Sequence, residues 1–178
     1  DDFNLIYSSG TTGLPKGILQ SHGARLHWSF SNAIELRYYV DSRALTTTAL
    51  YSNGTWLAIL PVLFAGGTLV ILPEFSAKEF LNTVQKEKIT HTFMVPTQFI
   101  VTLDSPDFDN YDLSSLEAVL CGGSPLRPDT KLEVLKRMTP NLYELYGYSE
   151  GFATMNKPGT NQLKPDSVGT PVLGFDVK

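Results

Sequence analysis

Stretches of strand length alternate along this chain with stretches whose apolar residues recur at helical spacing. That alternation constrains the fold more than any other feature of the sequence. Residues 4–8, 17–20, 46–51, 68–72, 90–95, 116–120 and 142–146 read as strands, the fourth of them as a buried one. Between them, Ser21 can cap a helix that runs through His27, Trp28, Phe30 and Ile34 toward Tyr38. Residues 56–64 form an apolar helix that Gly66 and Gly67 end. Ser76 and Glu79 make a capping box, with Phe80, Leu81 and Val84 facing inward. Pro96 opens a helix containing Phe99, Ile100 and Leu103, and residues 128–138 carry Leu132, Leu135 and Met138 at helical spacing. Residues 105–113 read as loop, and 157–178, rich in Pro and Gly, as a surface tail. Strands separated by helices predict an α/β domain with a mostly parallel sheet flanked by helices.

Composition narrows the class of function. At 178 residues, 42% hydrophobic and 18% charged, the chain suits a single domain with a true core and is unlike a disordered one. A net charge of −4 without a Lys/Arg cluster argues against a nucleic-acid partner. One cysteine, Cys121, excludes an internal disulfide and a cysteine-rich zinc site. The longest apolar stretch, residues 57–72, is broken by Pro61, Gly66 and Gly67, so no transmembrane segment is expected. With no secretory signal in view, a reducing, cytoplasmic setting is expected. The chain opens on Asp1-Asp2 and reaches its first motif within six residues, as a piece of a longer protein would.

That motif is Tyr7-Ser8-Ser9-Gly10-Thr11-Thr12-Gly13-Leu14-Pro15-Lys16-Gly17. Glycines let backbone approach a ligand, successive N–H groups form an anion nest, and the hydroxyls of Ser8, Ser9, Thr11 and Thr12 add donors. Lys16 adds the one full positive charge. A plain hairpin turn needs neither four hydroxyls nor Pro-Lys-Gly, so the segment is read as a phosphate-holding loop. A Walker loop has Gly-Lys-Ser/Thr opening a helix, whereas Lys16 lies between Pro15 and Gly17 ahead of a strand.

The segment instead resembles the signature loop of the adenylate-forming superfamily, which includes acyl-CoA synthetases, firefly luciferase and nonribosomal adenylation domains. Two further motifs support the resemblance in the family's order. Tyr146-Gly147-Tyr148-Ser149-Glu150 is similar to the family's Tyr-Gly-x-Thr/Ser-Glu. Gly122-Gly123-Ser124-Pro125-Leu126 is similar to its Gly-Gly-Ala-Pro-Leu. By resemblance, residues 8–13, Lys16 and Gly17 hold phosphates, and Gly122, Gly123, Ser124 and Pro125 lie along the adenine. Tyr146 stacks on that base, with Gly147 and Tyr148 beside it, Ser149 reaches the α-phosphate, and Glu150 helps bind Mg²⁺. The resemblance makes Lys16, Ser149 and Glu150 the catalytic candidates.

Departures from the family pattern narrow the substrate. Many acyl- and aryl-CoA ligases carry a His where this chain has Tyr51-Ser52-Asn53-Gly54. Nonribosomal domains that activate α-amino acids place an Asp in this region, yet residues 46–72 contain no acidic residue. Burying an ammonium group without a carboxylate costs several kcal/mol, so an amino-acid substrate is disfavoured. Cys121, His22, His27 and His91 lack activating or metal-ligating company in the sequence and read as structural. Residues 56–64 and 93–95 are candidates for the acyl-pocket wall.

The resemblance thus implies ATP-dependent activation of a fatty or aryl carboxylic acid to an acyl-adenylate, followed by transfer to coenzyme A. ATP/AMP, Mg²⁺ and coenzyme A would be the cofactors and co-substrates. Residues 1–178 would be a central portion of the large N-terminal domain, without the small lysine-bearing C-terminal domain, and inactive alone. Alternatives are a nucleotide-binding-only domain, a luciferase-like oxidase or a nonribosomal-type enzyme.

Overall fold

The computed structural model describes residues 1–8 and 14–177. Two strands, β1 (Asp2–Ser8) and β2 (Lys16–Ser21), pair as an antiparallel hairpin apart from the main sheet. Helix α1 (His22–Glu35) follows, with Ser21 Oγ accepting the Ala24 N–H at 3.1 Å as its cap. The main sheet is built from β3 (Arg43–Thr46), β4 (Thr68–Ile71), β5 (His91–Met94), β6 (Ala118–Cys121), β7 (Leu142–Tyr148), β8 (Phe152–Asn156) and β9 (Thr170–Pro171). Its spatial order is β4-β3-β5-β6-β7-β8-β9. The pairs from β4 through β7 are parallel, and β8 and β9 pair antiparallel.

Helices cover both faces: α2 (Trp56–Phe64), α3 (Ala77–Glu87), α4 (Pro96–Leu103), α5 (Pro128–Glu133) and the short α6 (Thr160–Leu163). Strand side chains alternate between faces, and the core divides accordingly. Leu45, Met94, Val119 and Cys121 pack with Phe80, Leu81, Val84 and Phe99 from α3 and α4. On the opposite face, Phe93, Ala118, Leu120 and Tyr143 pack with Leu57 and Ala58 of α2 and with Leu36. The mostly parallel α/β sheet expected from the alternation is therefore the fold observed.

Several boundaries differ from the sequence reading. The strand read at 46–51 lies at Arg43–Thr46. Beyond it, hydroxyls take over from the ladder: Thr47 Oγ1 donates to the Phe93 carbonyl at 2.6 Å, and Thr55 Oγ1 donates to the Ala49 carbonyl at 2.6 Å. Strand β4 is the sheet edge and is only partly covered, with Ile71 53% exposed. Leu132 points to solvent, while Lys131 is buried in its place. The helix from Pro128 loosens to i→i+5 bonding over Val134–Met138. The sequence reading had no β8, and the tail is not merely superficial. Asn161 Nδ2 donates to the Leu142 carbonyl at 2.6 Å, and Val172 is buried.

Candidate active site

Ser9, Gly10, Thr11, Thr12 and Gly13, expected to hold phosphates, lie outside the described residues. Their two flanks are described. Ser8 pairs with Lys16, and Tyr7 with Gly17, at the loop end of the β1–β2 hairpin, and Lys16 is exposed there. An antiparallel ladder thus sets the two flanks, Ser8 and Lys16, side by side.

The second motif ends β7 and turns into β8. Gly147 stands where a Cβ would lie 2.2 Å from the Phe152 carbonyl oxygen, so this close approach of the two strands requires glycine. Ser149 and Glu150 form the turn that follows. Gln20 Nε2, on β2, donates to the Ser149 carbonyl at 2.7 Å and ties the β1–β2 hairpin to this turn. No sequence signal marks Gln20, because its partner is 129 residues away. Tyr148 stacks on Phe152 with 5.3 Å between ring centroids, whereas Tyr146 meets Phe152 edge-on at 6.3 Å. Both tyrosines keep more than half of their surface exposed.

The third motif follows β6 directly. Gly122 is buried, and Gly123, Ser124 and Pro125 open a cleft of about 220 Å³ shared with Glu144, Leu145, Tyr146, Gly147 and Val168. The second and third motifs thus meet in one place. Glu144 anchors them: its Oε1 accepts the Leu126 N–H at 3.1 Å, and its Oε2 lies 2.5 Å from Lys131 Nζ. Lys131 also donates to the Pro165 carbonyl. This buried ion pair, absent from the sequence reading, binds the third motif, β7 and the tail together.

A larger cavity of about 480 Å³ joins all three motifs. Tyr7 and Ser8 line it from the hairpin, Gly123 from the third motif, and Gly147, Tyr148 and Ser149 from the second. Its body is apolar, with Trp28, Leu57, Phe93, Val95, Phe152 and Phe175 among its walls. Of the expected acyl-wall segments, Leu57, Phe93 and Val95 line it, whereas the Trp56 ring turns away and its Nε1 donates to the Leu50 carbonyl at 3.1 Å. Tyr148, expected among the nucleotide residues, lines this larger cavity and not the smaller cleft.

Glu150 is exposed between Ser149 and Gly151, which line the cavity, and no group of three or more His, Cys, Asp or Glu gathers among the described residues. Mg²⁺ bound jointly with phosphates takes one or two carboxylates, so a lone Glu150 fits that donor set. Cys121 is buried, and its thiol is pushed up by burial and then by Glu144, which leaves it protonated and inert. His91 is buried against Tyr38, with its Nε2 2.9 Å from the Leu36 carbonyl, and is a structural residue.

The AMP-binding enzyme family model matches residues 1–178. The chain is 37% identical over 169 residues to an indoleacetate–CoA ligase of Aromatoleum aromaticum, covering 93% of this chain and 33% of that protein. It is 33% identical to a feruloyl-CoA synthase of an Amycolatopsis species, covering 98% of this chain and 36% of the relative. Among solved structures, it superposes on the amide bond synthetase McbA of Marinactinospora thermotolerans with a TM-score of 0.88 at 30% identity, covering 98% of this chain and 35% of the other. On the o-succinylbenzoate CoA synthetase of Bacillus subtilis in complex with ATP and magnesium, the TM-score is 0.87 at 25% identity, over 98% and 36%. The chain spans about a third of the length of these curated relatives. From motifs, fold and family model together, the chain belongs to the AMP-binding enzyme family.

Proposed function

We propose that the protein containing this chain uses ATP to activate a carboxylic acid as an acyl-adenylate, releasing pyrophosphate, and then passes the acyl group to coenzyme A. One observation carries this reading: the phosphate hairpin and the adenine-cleft motifs open onto one apolar cavity. An acid in that cavity faces the α-phosphate of a nucleotide held across the cleft. Lys16 sits at the loop flank, where charge develops on departing pyrophosphate, and a cation positioned there stabilises it. Tyr146, at the cleft, offers a face for the base, and Ser149 a hydroxyl near the α-phosphate. Glu150 would hold Mg²⁺, which when bound offsets charge on the phosphates.

The acid is read as aryl or fatty. Among the described residues, no Asp or Glu lines the larger cavity, which supports a substrate without an ammonium group. Two relatives are named for indoleacetate and feruloyl-CoA, which supports an aromatic acid. No helix among the described residues is long and apolar enough to cross a membrane.

The test uses the full-length protein. Acid-dependent exchange of pyrophosphate into ATP is expected, followed by thioester formation when coenzyme A is added. Lys16→Ala should slow adenylation by about 100-fold or more, the cost of one lost donor to developing charge, and affect the thiol step much less, because pyrophosphate has already left. Equal slowing of both half-reactions would refute the role given to Lys16, and absence of exchange with any acid would refute the function.

A further inference from the structure

We propose that Asn53 presents its side-chain N–H₂ to an oxygen acceptor on the acid substrate, and that buried Arg25 holds it in that orientation. Arg25 lies on the covered side of α1 and is 2% exposed. Its Nε donates to Asn4 Oδ1 at 3.2 Å and its Nη2 donates to Asn53 Oδ1 at 2.9 Å. The guanidinium is 4.8 Å from the Trp28 ring and 5.8 Å from that of Trp56. No carboxylate pairs with it among the described residues, and its Nη1 is buried without a partner.

A guanidinium can only donate hydrogen bonds. Asn53 must therefore turn its carbonyl oxygen toward Arg25, which sends Nδ2 the other way. Asn53 lines the larger cavity, and its Nδ2 donates to no group among the described residues. The backbone is fixed on both sides of it. The Ser52 N–H donates to the Ala49 carbonyl at 2.9 Å, Gly54 packs where a Cβ would lie 2.6 Å from the Phe93 ring, and Thr55 Oγ1 is bonded to the Ala49 carbonyl. The cavity wall at this point is thus an oriented hydrogen-bond donor in a lining without carboxylates. Such a wall recognises an acceptor: the carboxylate under activation, or an oxygen substituent carried on the acid. This inference rests on the acid-activation reading.

The experiment is Asn53→Asp in the full-length protein. The new carboxylate gives Arg25 the counter-ion it lacks, while presenting lone pairs instead of a donor to the cavity. Thermal stability should hold or rise. The KM for the acid should rise about tenfold or more, the effect of replacing a hydrogen bond by repulsion, with the KM for ATP unchanged. Comparing acids with and without an oxygen substituent separates the two acceptors: a rise for all acids marks the carboxylate, and a rise confined to substituted acids marks the substituent. A merely structural Asn53 would show the gain in stability without the change in KM. Unchanged KM for every acid would overturn the proposal, as would a fall in melting temperature, which would mean that Arg25 does not face Asn53. If the wild-type protein activates no acid, the proposed function falls and this inference with it. An active wild type indistinguishable from Asn53→Asp refutes this inference alone.

Discussion

Replacing Lys131 by Met isolates what the buried ion pair contributes. The two side chains are 2% and 14% exposed, with 2.5 Å between Nζ and Oε2. Lys131→Met leaves the Glu144 carboxylate with the Leu126 N–H as its remaining partner, and the Pro165 carbonyl loses its donor. Breaking a buried pair by removing one partner costs about 3–5 kcal/mol. At roughly 2–4 °C per kcal/mol for a domain of this size, the melting temperature should fall by roughly 6–20 °C. Lys131→Met combined with Glu144→Leu removes both charges and should regain most of that stability, because an apolar pair of similar volume is often neutral. Affinity for ATP should stay weakened in the double variant, since Leu126 remains untethered and Gly123–Pro125 forms the cleft wall beside it. Thermal unfolding read beside the KM for ATP in pyrophosphate exchange separates the two effects. A single variant within about 1 kcal/mol of wild type, the range of exposed pairs, would show that the pair does not hold the fold. A double variant with wild-type KM for ATP would show that the tether does not shape the cleft.

Two other perturbations have clear expected outcomes. Glu150→Gln should raise the Mg²⁺ concentration needed for half-maximal exchange without lowering the melting temperature, because an amide is a poorer ligand for a hard cation and Glu150 is exposed; a titration that overlays the wild type would remove Glu150 from the site. Burial pushes the His91 imidazole below its ordinary 6.5, so the unfolded chain takes up a proton before the folded one does. Stability from this group is complete above pH 6.5 and is lost as pH falls below it, at up to about 1.4 kcal/mol per pH unit; His91→Gln should flatten that slope in unfolding measured from pH 7 to 5.

What the sequence displayed was whatever depends on neighbours along the chain. Strands β5 and β6 are buried on both faces and read as continuous runs, and the Ser76 cap accepts the Glu79 N–H as its spacing suggests. The glycine- and hydroxyl-rich motifs were legible because anion binding demands that composition locally. Strand β3 was misplaced because Thr46, Thr47 and Thr48 all suit a strand, and only hydroxyl bonds to distant carbonyls show where the ladder stops. Lys131 and Leu132 exchanged the roles that hydrophobicity assigns them because Glu144, on another element, accepts the charge. The pairing of Arg25 with Asn53 was not legible for the same reason: each is an ordinary polar residue until the fold sets one against the other.

The hydrogen bond from Gln20 to the Ser149 carbonyl spans two sheets. It joins the β1–β2 hairpin to the turn between β7 and β8, so it couples two parts of the molecule that no shared strand ladder holds together. A bond of this kind is worth about 1 kcal/mol net, so losing it shifts the balance between joined and parted hairpins only severalfold. The spacing between Lys16 and the Ser149 turn therefore leans on a contact that thermal fluctuation can break and remake.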